Sequence, residues 1–301
     1  MNTILRSSIA LILVASTLSA QQRNVAQKLG HPANAKLLIL HADDLGVAHS
    51  VNAASLEALD KGAISSASFM IPTPWISEVA EYARAHPDAD LGIHLTVTSE
   101  WDTYRWGSVL SKDKVPSLLD SSGTLSRDGS NIAKSPKPAE IEMELRAQLD
   151  RARALGIRTT HADSHMGILF TTPDLFAIYM KVARDYRIPF MVPRGDPRIS
   201  SADAAVDTII QAYPDVTAEK WKQFYLDAIR NLKPGVSEII VHLGHDDAEL
   251  KAVMVNHDPW GAAWRQRDYD VVMSPEFKKA LKDNNIILVK WKDLYRAAQM
   301  P

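Results

Sequence analysis

From residue 35 onward, short apolar runs alternate with segments of helical spacing. Residues 36–40 (KLLIL) form a compact apolar run of the kind that reads as a strand buried on both faces. Comparable runs at 65–71, 91–97, 158–163, 190–193, 238–243 and 286–289 predict further strands. Between them, helical spacing predicts helices over 51–59, 75–85, 139–155, 173–186, 202–212, 218–232 and 275–282, with a terminal helix after the last strand. Repeated strand–helix units argue for a parallel sheet with helices outside it. About seven strands are readable, which predicts an α/β fold of the distorted, TIM-like (β/α) barrel type, with an open doubly wound sheet as the alternative. No G-x-G-x-x-G occurs, so a dinucleotide-binding version of the open sheet has no support. The polar stretch at 98–137, after the third strand, is a long loop insertion, and loops of that length inside a compact domain are usually functional or disordered.

The start of the chain breaks this pattern. Arg6 is the only charged side chain among the first twenty residues, and an apolar run at 9–14 is followed by small residues up to Ala20. This predicts a signal peptide over 1–20, with export to the periplasm or beyond. A linker over 21–34 and a single domain over 35–301 complete the expected organisation. The apolar run is too short for a comfortable membrane span.

Composition narrows the chemistry. The 301 residues are 46% hydrophobic and 23% charged, with a formal net charge of −2, so nothing points to a nucleic-acid partner. There are no cysteines, which excludes disulfides, thiolate nucleophiles and Cys-ligated zinc.

In parallel barrels, functional groups gather at the carboxyl ends of strands. Here those ends carry Asp and His. The first strand runs into HADDLG, where Asp43 and Asp44 are costly after a buried strand unless compensated, and a metal ion would compensate them. Capping and a solvated turn are the bland alternative for the pair. His94, in GIHLT, alternates with apolar neighbours and so faces the opposite side from them. THADSHMG carries the densest cluster: His165 lies just past the strand, His161 deeper, and Asp163 is suited to orient a ligating histidine through its free ring N–H. His41, one turn of the pleat before the two aspartates, belongs with these supporting residues. A later apolar run ends in VHLGHDD, bringing His242. Four strand ends with the same few residue types predict one divalent metal ion, Mg²⁺ or Zn²⁺ first, with Co²⁺ or Ni²⁺ as alternatives.

These four motifs, HADDLG, DLGIHLT, THADSHMG and VHLGH, resemble those of the YdjC/ChbG carbohydrate deacetylases in order and spacing, over about residues 36–294. The resemblance implies a distorted (β/α) barrel, a divalent metal held by one Asp and two His, and removal of acetyl groups from N-acetylated sugars. It implies Asp44, His94 and His165 as metal ligands, Asp43 as catalytic base, His242 as general acid, and Arg194 as a group that steadies the base or the oxyanion. The sequence departs from the family at His41, Leu45 and Leu243, where Asn, Phe and Pro are frequent, and in having Met166 and Gly167 rather than further histidines after His165. A signal peptide is a departure from the cytosolic disaccharide deacetylases of this type.

The loop insertion carries Trp101, Tyr104, Arg105 and Trp106. Flat amphipathic rings suit sugar faces, so Trp101, Tyr104 and Trp106 are candidate substrate contacts, against the alternative that they pin the loop to the barrel. Trp260 and Trp264 are further candidates. Rival functions are another metal-dependent hydrolase (a phosphoesterase or an amidohydrolase), a non-haem iron oxygenase, and an inactive carbohydrate-binding protein.

Overall fold

The structure is a computed structural model that describes residues 23–134 and 137–300; the expected signal peptide lies outside the described residues. Seven parallel strands form one sheet: β1 (Lys36–Leu45), β2 (Ser66–Phe69), β3 (Leu91–Leu95), β4 (Ala162–Ser164), β5 (Thr208–Gln211), β6 (Gly235–Val241) and β7 (Ile286–Leu288). The order is β4-β3-β2-β1-β6-β5. Along one edge β1 pairs with β6. Along the other it pairs first with β7 (Lys36 opposite Ile286) and then with β2 (His41 opposite Ser66). Single parallel bridges, Ala162 to Phe190 and Pro193 to Val206, carry the curved sheet from β4 to the start of β5. The result is a distorted (β/α) barrel, as the alternation of strand and helix signals predicts.

Eleven helices follow in the described residues: α1 (Val25–Lys28), α2 (His49–Asp60), α3 (Ile76–Ala85), α4 (Ser130–Lys134), α5 (Pro138–Ala154), α6 (Pro173–Asp185), α7 (Trp221–Asn231), α8 (Ala248–Val253), α9 (Ala262–Val272), α10 (Pro275–Asp283) and α11 (Trp291–Ala298). None is long and apolar enough to cross a membrane. Start signals in the sequence are used as expected. Thr172 and Ser274 cap α6 and α10 through their hydroxyls, each with Pro at the first helical position.

Period-two alternation sorts the strand residues into two cores. Leu38, Leu40 and Ala42 of β1 join the large cluster that the helices cover. Leu37 and Ile39 join a second cluster, with Val236 and Ile240 of β6 and Trp291 and Leu294 of α11. His41 and Asp43 continue the second series, on the inner face of the barrel. The same rule places Ser66, Ser68, His94, Asp163 and Glu238 inside.

Three expectations are corrected. The helix over 202–212 is absent; its end is β5, because the β-branched run at 208–210 pairs with β6 from Thr208–Ser237 to Gln211–Ile240. The strand over 190–193 makes only single bridges. The stretch expected as a linker carries α1, whose buried Ala26 belongs to the inner cluster with Leu37 and Leu294.

Candidate functional site

The site begins with an irregularity in β1. Ala42 is opposite Ala67 and Leu45 is opposite Phe69, so Asp43 and Asp44 together face one residue of β2. In a regular strand, adjacent side chains point to opposite faces. A bulge removes that constraint. Here Asp44 takes a left-handed backbone (φ 65), followed by Gly46 (φ 94), and both carboxylates line one cavity. A left-handed conformation is strained for a residue with a side chain, and strain of this kind persists where the surroundings hold it. Gly46 has no such freedom to change: a Cβ there would lie 2.9 Å from Thr73 Oγ1.

Asp44, His94 and His165 meet at the cavity floor. Asp44 Oδ1 lies 3.4 Å from His94 Nε2 and 3.3 Å from His165 Nδ1. The far nitrogen of each ring is taken by another carboxylate. His94 Nδ1 is 2.7 Å from Asp163 Oδ1, its cross-strand partner in the β3–β4 register, and His165 Nε2 is 2.9 Å from Glu100 Oε2. In the neutral rings these contacts place the proton on the far nitrogen and leave the near one as a lone-pair donor. One carboxylate oxygen and two imidazole nitrogens suit a divalent metal, and these three residues could hold one. The fit is supported by Asp44 Oδ1, which is buried without a hydrogen-bond donor.

Asp43 stands beside them. Its Oδ1 is 3.4 Å from His242 Nε2, and its Oδ2 is 3.9 Å from His94 Nε2. Asp43 Oδ1 and His242 Nδ1 are both buried without a hydrogen-bond partner. The backbone N–H of His242 donates to Asp268 (2.8 Å), whose other oxygen accepts from Trp221 Nε1 and the Tyr225 hydroxyl. The loop after β6 is thus anchored to α7 and α9.

Below the floor lies a closed polar layer. Asp163 Oδ2 accepts from Ser68 (2.8 Å) and contacts His41 Nε2 (3.0 Å), while His41 Nδ1 contacts Ser66 Oγ (3.1 Å). His161 stacks on Trp291 at 5.5 Å and lies edge-on to His41, so it supports the layer without touching the three proposed ligands. His41, His161 and Asp163 form a second group with metal-ligating geometry, but the contacts of His41 and Asp163 are already spent on each other and on serines.

The electrostatics follow from burial and neighbours. Burial pushes the Asp44 carboxyl up, but Arg265 Nη2, at 2.7 Å, with His165 and His94 outweighs it and holds Asp44 well below its ordinary range. Burial lowers His165, yet Glu100 and Asp44 carry it up to about 9. Burial opposes protonation of His94 as well, and Asp163, Asp44 and Asp43 raise it well above its ordinary value.

Two groups of predicted residues lie elsewhere. Arg194 does not line the cavity; its guanidinium pairs with Asp207 and donates to Ala205 O. Asp207 also accepts from Val236 N near the start of β6, about 20 Å along the strand from His242. The role of steadying a base is therefore corrected to one of joining the sheet. Trp101 and Trp106 are buried and, with Tyr104, also stay out of the cavity. Trp106 Nε1 donates to Thr98 O, the Tyr104 hydroxyl donates to Val47 O, and Trp101 packs edge-on to Trp106. These rings pin the insertion to the barrel, and the reading of Trp101, Tyr104 and Trp106 as substrate contacts is corrected accordingly. Trp260 and Trp264 do line the cavity.

Sequence reasoning missed Glu100, Arg265 and Asp268. Glu100 sits beside Trp101 in the insertion, where its neighbourhood to His165 is purely tertiary. Arg265 and Asp268 lie in a charged run of α9 that carries no strand-end signal.

Fold and site together define a parallel β/α-barrel protein with a carboxylate–histidine centre at the carboxyl ends of its strands. Residues 37–283 match the model of the YdjC-like protein family, and the chain belongs to that family. A carbohydrate deacetylase from Thermoanaerobacter pseudethanolicus is 28% identical over 86% of this chain and 99% of its own length. One from Brevibacillus brevis is 39% identical over 52% of this chain and 59% of its own length. The crystal structure of a proposed cellobiose-phosphate cleavage protein from Enterococcus faecalis superposes with a TM-score of 0.74 at 25% identity, covering 86% of this chain and 99% of that one.

Proposed function

We propose that this protein is a metal-dependent carbohydrate deacetylase that hydrolyses the acetamide of an N-acetylated sugar to acetate and a free amine. The observation that carries the proposal is the joint placement of Asp44, His94 and His165 beside the Asp43–His242 pair on one cavity floor. Full-length relatives named carbohydrate deacetylase support it.

Asp44, His94 and His165 would hold the metal, which when bound polarises an acyl carbonyl and acidifies water. Asp43, without a competing hydrogen-bond donor on Oδ1, is free to accept the proton of the attacking water. His242 Nε2, 3.4 Å from that carboxylate, is placed to pass a proton to the leaving nitrogen. Asp268 keeps the His242 backbone in position, and the buried floor strengthens each of these charge interactions. The leader-like start of the chain extends the proposal to export, which amino-terminal sequencing of the mature protein would test.

The test is acetate release from a panel of N-acetylated oligosaccharides, using metal-stripped protein with Mg²⁺, Zn²⁺, Co²⁺ or Ni²⁺ restored singly. Acetate is expected only with metal. Asp43→Asn is expected to lower turnover by at least 10²-fold while binding metal normally. Acetate from metal-stripped protein, or near-full activity in Asp43→Asn, would overturn the assignment.

A further inference from the structure

The cavity, about 520 Å³, has two unlike halves. Its lining carboxylates, Asp43, Asp44, Glu100 and Asp163, and the lining arginine, Arg265, are confined to the floor, where they engage one another or the histidines. Its rim is apolar. Met166, Phe170, Ile209 and Tyr213 line the cavity and are nevertheless 50%, 39%, 39% and 55% exposed. Seven large hydrophobic side chains are exposed among the described residues, and these four surround one opening, so they are a patch rather than scatter. Below them Met191, Ile240 and Trp260 extend the apolar surface inward.

The rim is built from two separate segments, the turn after β4 and the end of β5. In the first, Met166 is held in a left-handed backbone (φ 53) and followed by Gly167 in the same region (φ 63). The Met166 sulfur accepts from the buried Thr98 hydroxyl at 3.5 Å, and the half-exposed remainder of this strained residue is presented at the cavity mouth. Between floor and rim the wall offers few polar side chains, chiefly Gln211, His257 and the Tyr213 hydroxyl. A glycan leaving the site would turn many hydroxyls toward this wall, and each one buried without a partner weakens binding.

We propose that the substrate is an N-acetylated sugar carrying a hydrocarbon aglycone, as in a glycolipid, with the chain lying on Met166, Phe170, Ile209 and Tyr213. This rests on the deacetylase reading of the floor. The sugar ring meets the polar groups and Trp260; the aglycone leaves along the rim, where apolar area is removed from water. Each methylene so buried contributes about 0.8 kcal/mol, or roughly fourfold in affinity.

The experiment compares kcat/KM for acetate release from the methyl and hexyl glycosides of N-acetylglucosamine and from its free trisaccharide, all below micellar concentrations. The hexyl glycoside is expected to exceed the methyl glycoside at least tenfold, mainly through KM. The double variant Ile209→Ser/Phe170→Ser is expected to bring the hexyl-to-methyl ratio down toward one. A ratio near one in the unaltered protein, or a trisaccharide preferred to the hexyl glycoside, overturns the aglycone and leaves the deacetylase reading standing. A dimer that dissociates in the double variant with the ratio unchanged also overturns it and assigns the rim to a second copy of this chain. No acetate from any of the three removes the deacetylase reading and this inference with it.

Discussion

Glu100 and Asp163 act on different ring nitrogens. Asp163 meets Nδ1 of His94, and Glu100 meets Nε2 of His165. The two rings therefore present opposite nitrogens to Asp44, and each carboxylate holds its partner in the required tautomer. Glu100→Ala is expected to weaken metal affinity by about 10–100-fold, measured by calorimetric titration of the metal-stripped protein. Glu100→Gln, whose amide oxygen still accepts the ring proton, is expected to lose much less. Histidine ¹⁵N shifts give a separate readout, because loss of Glu100 alone would release the His165 tautomer; an unchanged tautomer and affinity in Glu100→Ala would refute the role. His165→Ala removes a proposed ligand and is expected to abolish both metal binding and turnover. Equilibrium dialysis that finds metal retained at full affinity would show that another residue fills the place.

At the scale of elements, strand register decides what the residues can do. The β1 bulge turns neighbouring aspartates into one cavity, and the β3–β4 register sets Asp163 opposite His94. The inner face of β3 also explains Gly92, whose absent side chain makes room for His161: a Cβ there would fall 2.3 Å from the imidazole. His161 is fully buried against Trp291, the first residue of α11, so it has no way to withdraw. Gly92→Ala is expected to destabilise by about 1–3 kcal/mol through overpacking, read as a fall in Tm. Combining it with His161→Ala should recover part of that loss, since the two substitutions share one contact. Strictly additive losses would place the strain elsewhere.

Across the whole molecule, the inner barrel carries charge where most barrel interiors pack aliphatic side chains. Glu238 is incompletely compensated, its Oε2 being buried without a hydrogen-bond partner. Burial pushes its carboxyl up to about 7, although His41 and the Trp291 indole, at 2.9 Å, favour the ionised form. Its folded value lies above the unfolded one of about 4.3. Its protonated form therefore costs nothing below that unfolded value, and stability is lost as pH rises from there to about 7. The loss accrues between about pH 4.3 and 7, is complete above pH 7 and is of order 3 kcal/mol. Glu238→Gln is expected to melt higher than the parent at pH 8 and to approach it near pH 4. A parallel pH dependence in the two proteins would show that another group governs the alkaline limb.

Much of this protein was determined by local pattern. Strand–helix alternation gave the barrel class because burial on two faces requires apolar runs of fixed length. The residues of the floor, Asp43, Asp44, His94, His165 and His242, were legible because each sits at or next to a strand's carboxyl end, where the fold converges. Local pattern failed where the deciding contact is distant in the chain. Residues 208–211 form β5 because β6 lies alongside, and Arg194 joins Asp207 at the opposite end of β6 from the site. Trp101 and Trp106 look equally suited to a sugar or to a core, and only the packing of the insertion put them inside. Glu100 and Arg265 reach the site from a loop and a helix 65 residues before His165 and 221 residues after Asp44. Periodicity reports which face a residue takes within its own element; which element stands across from it is set by tertiary packing alone.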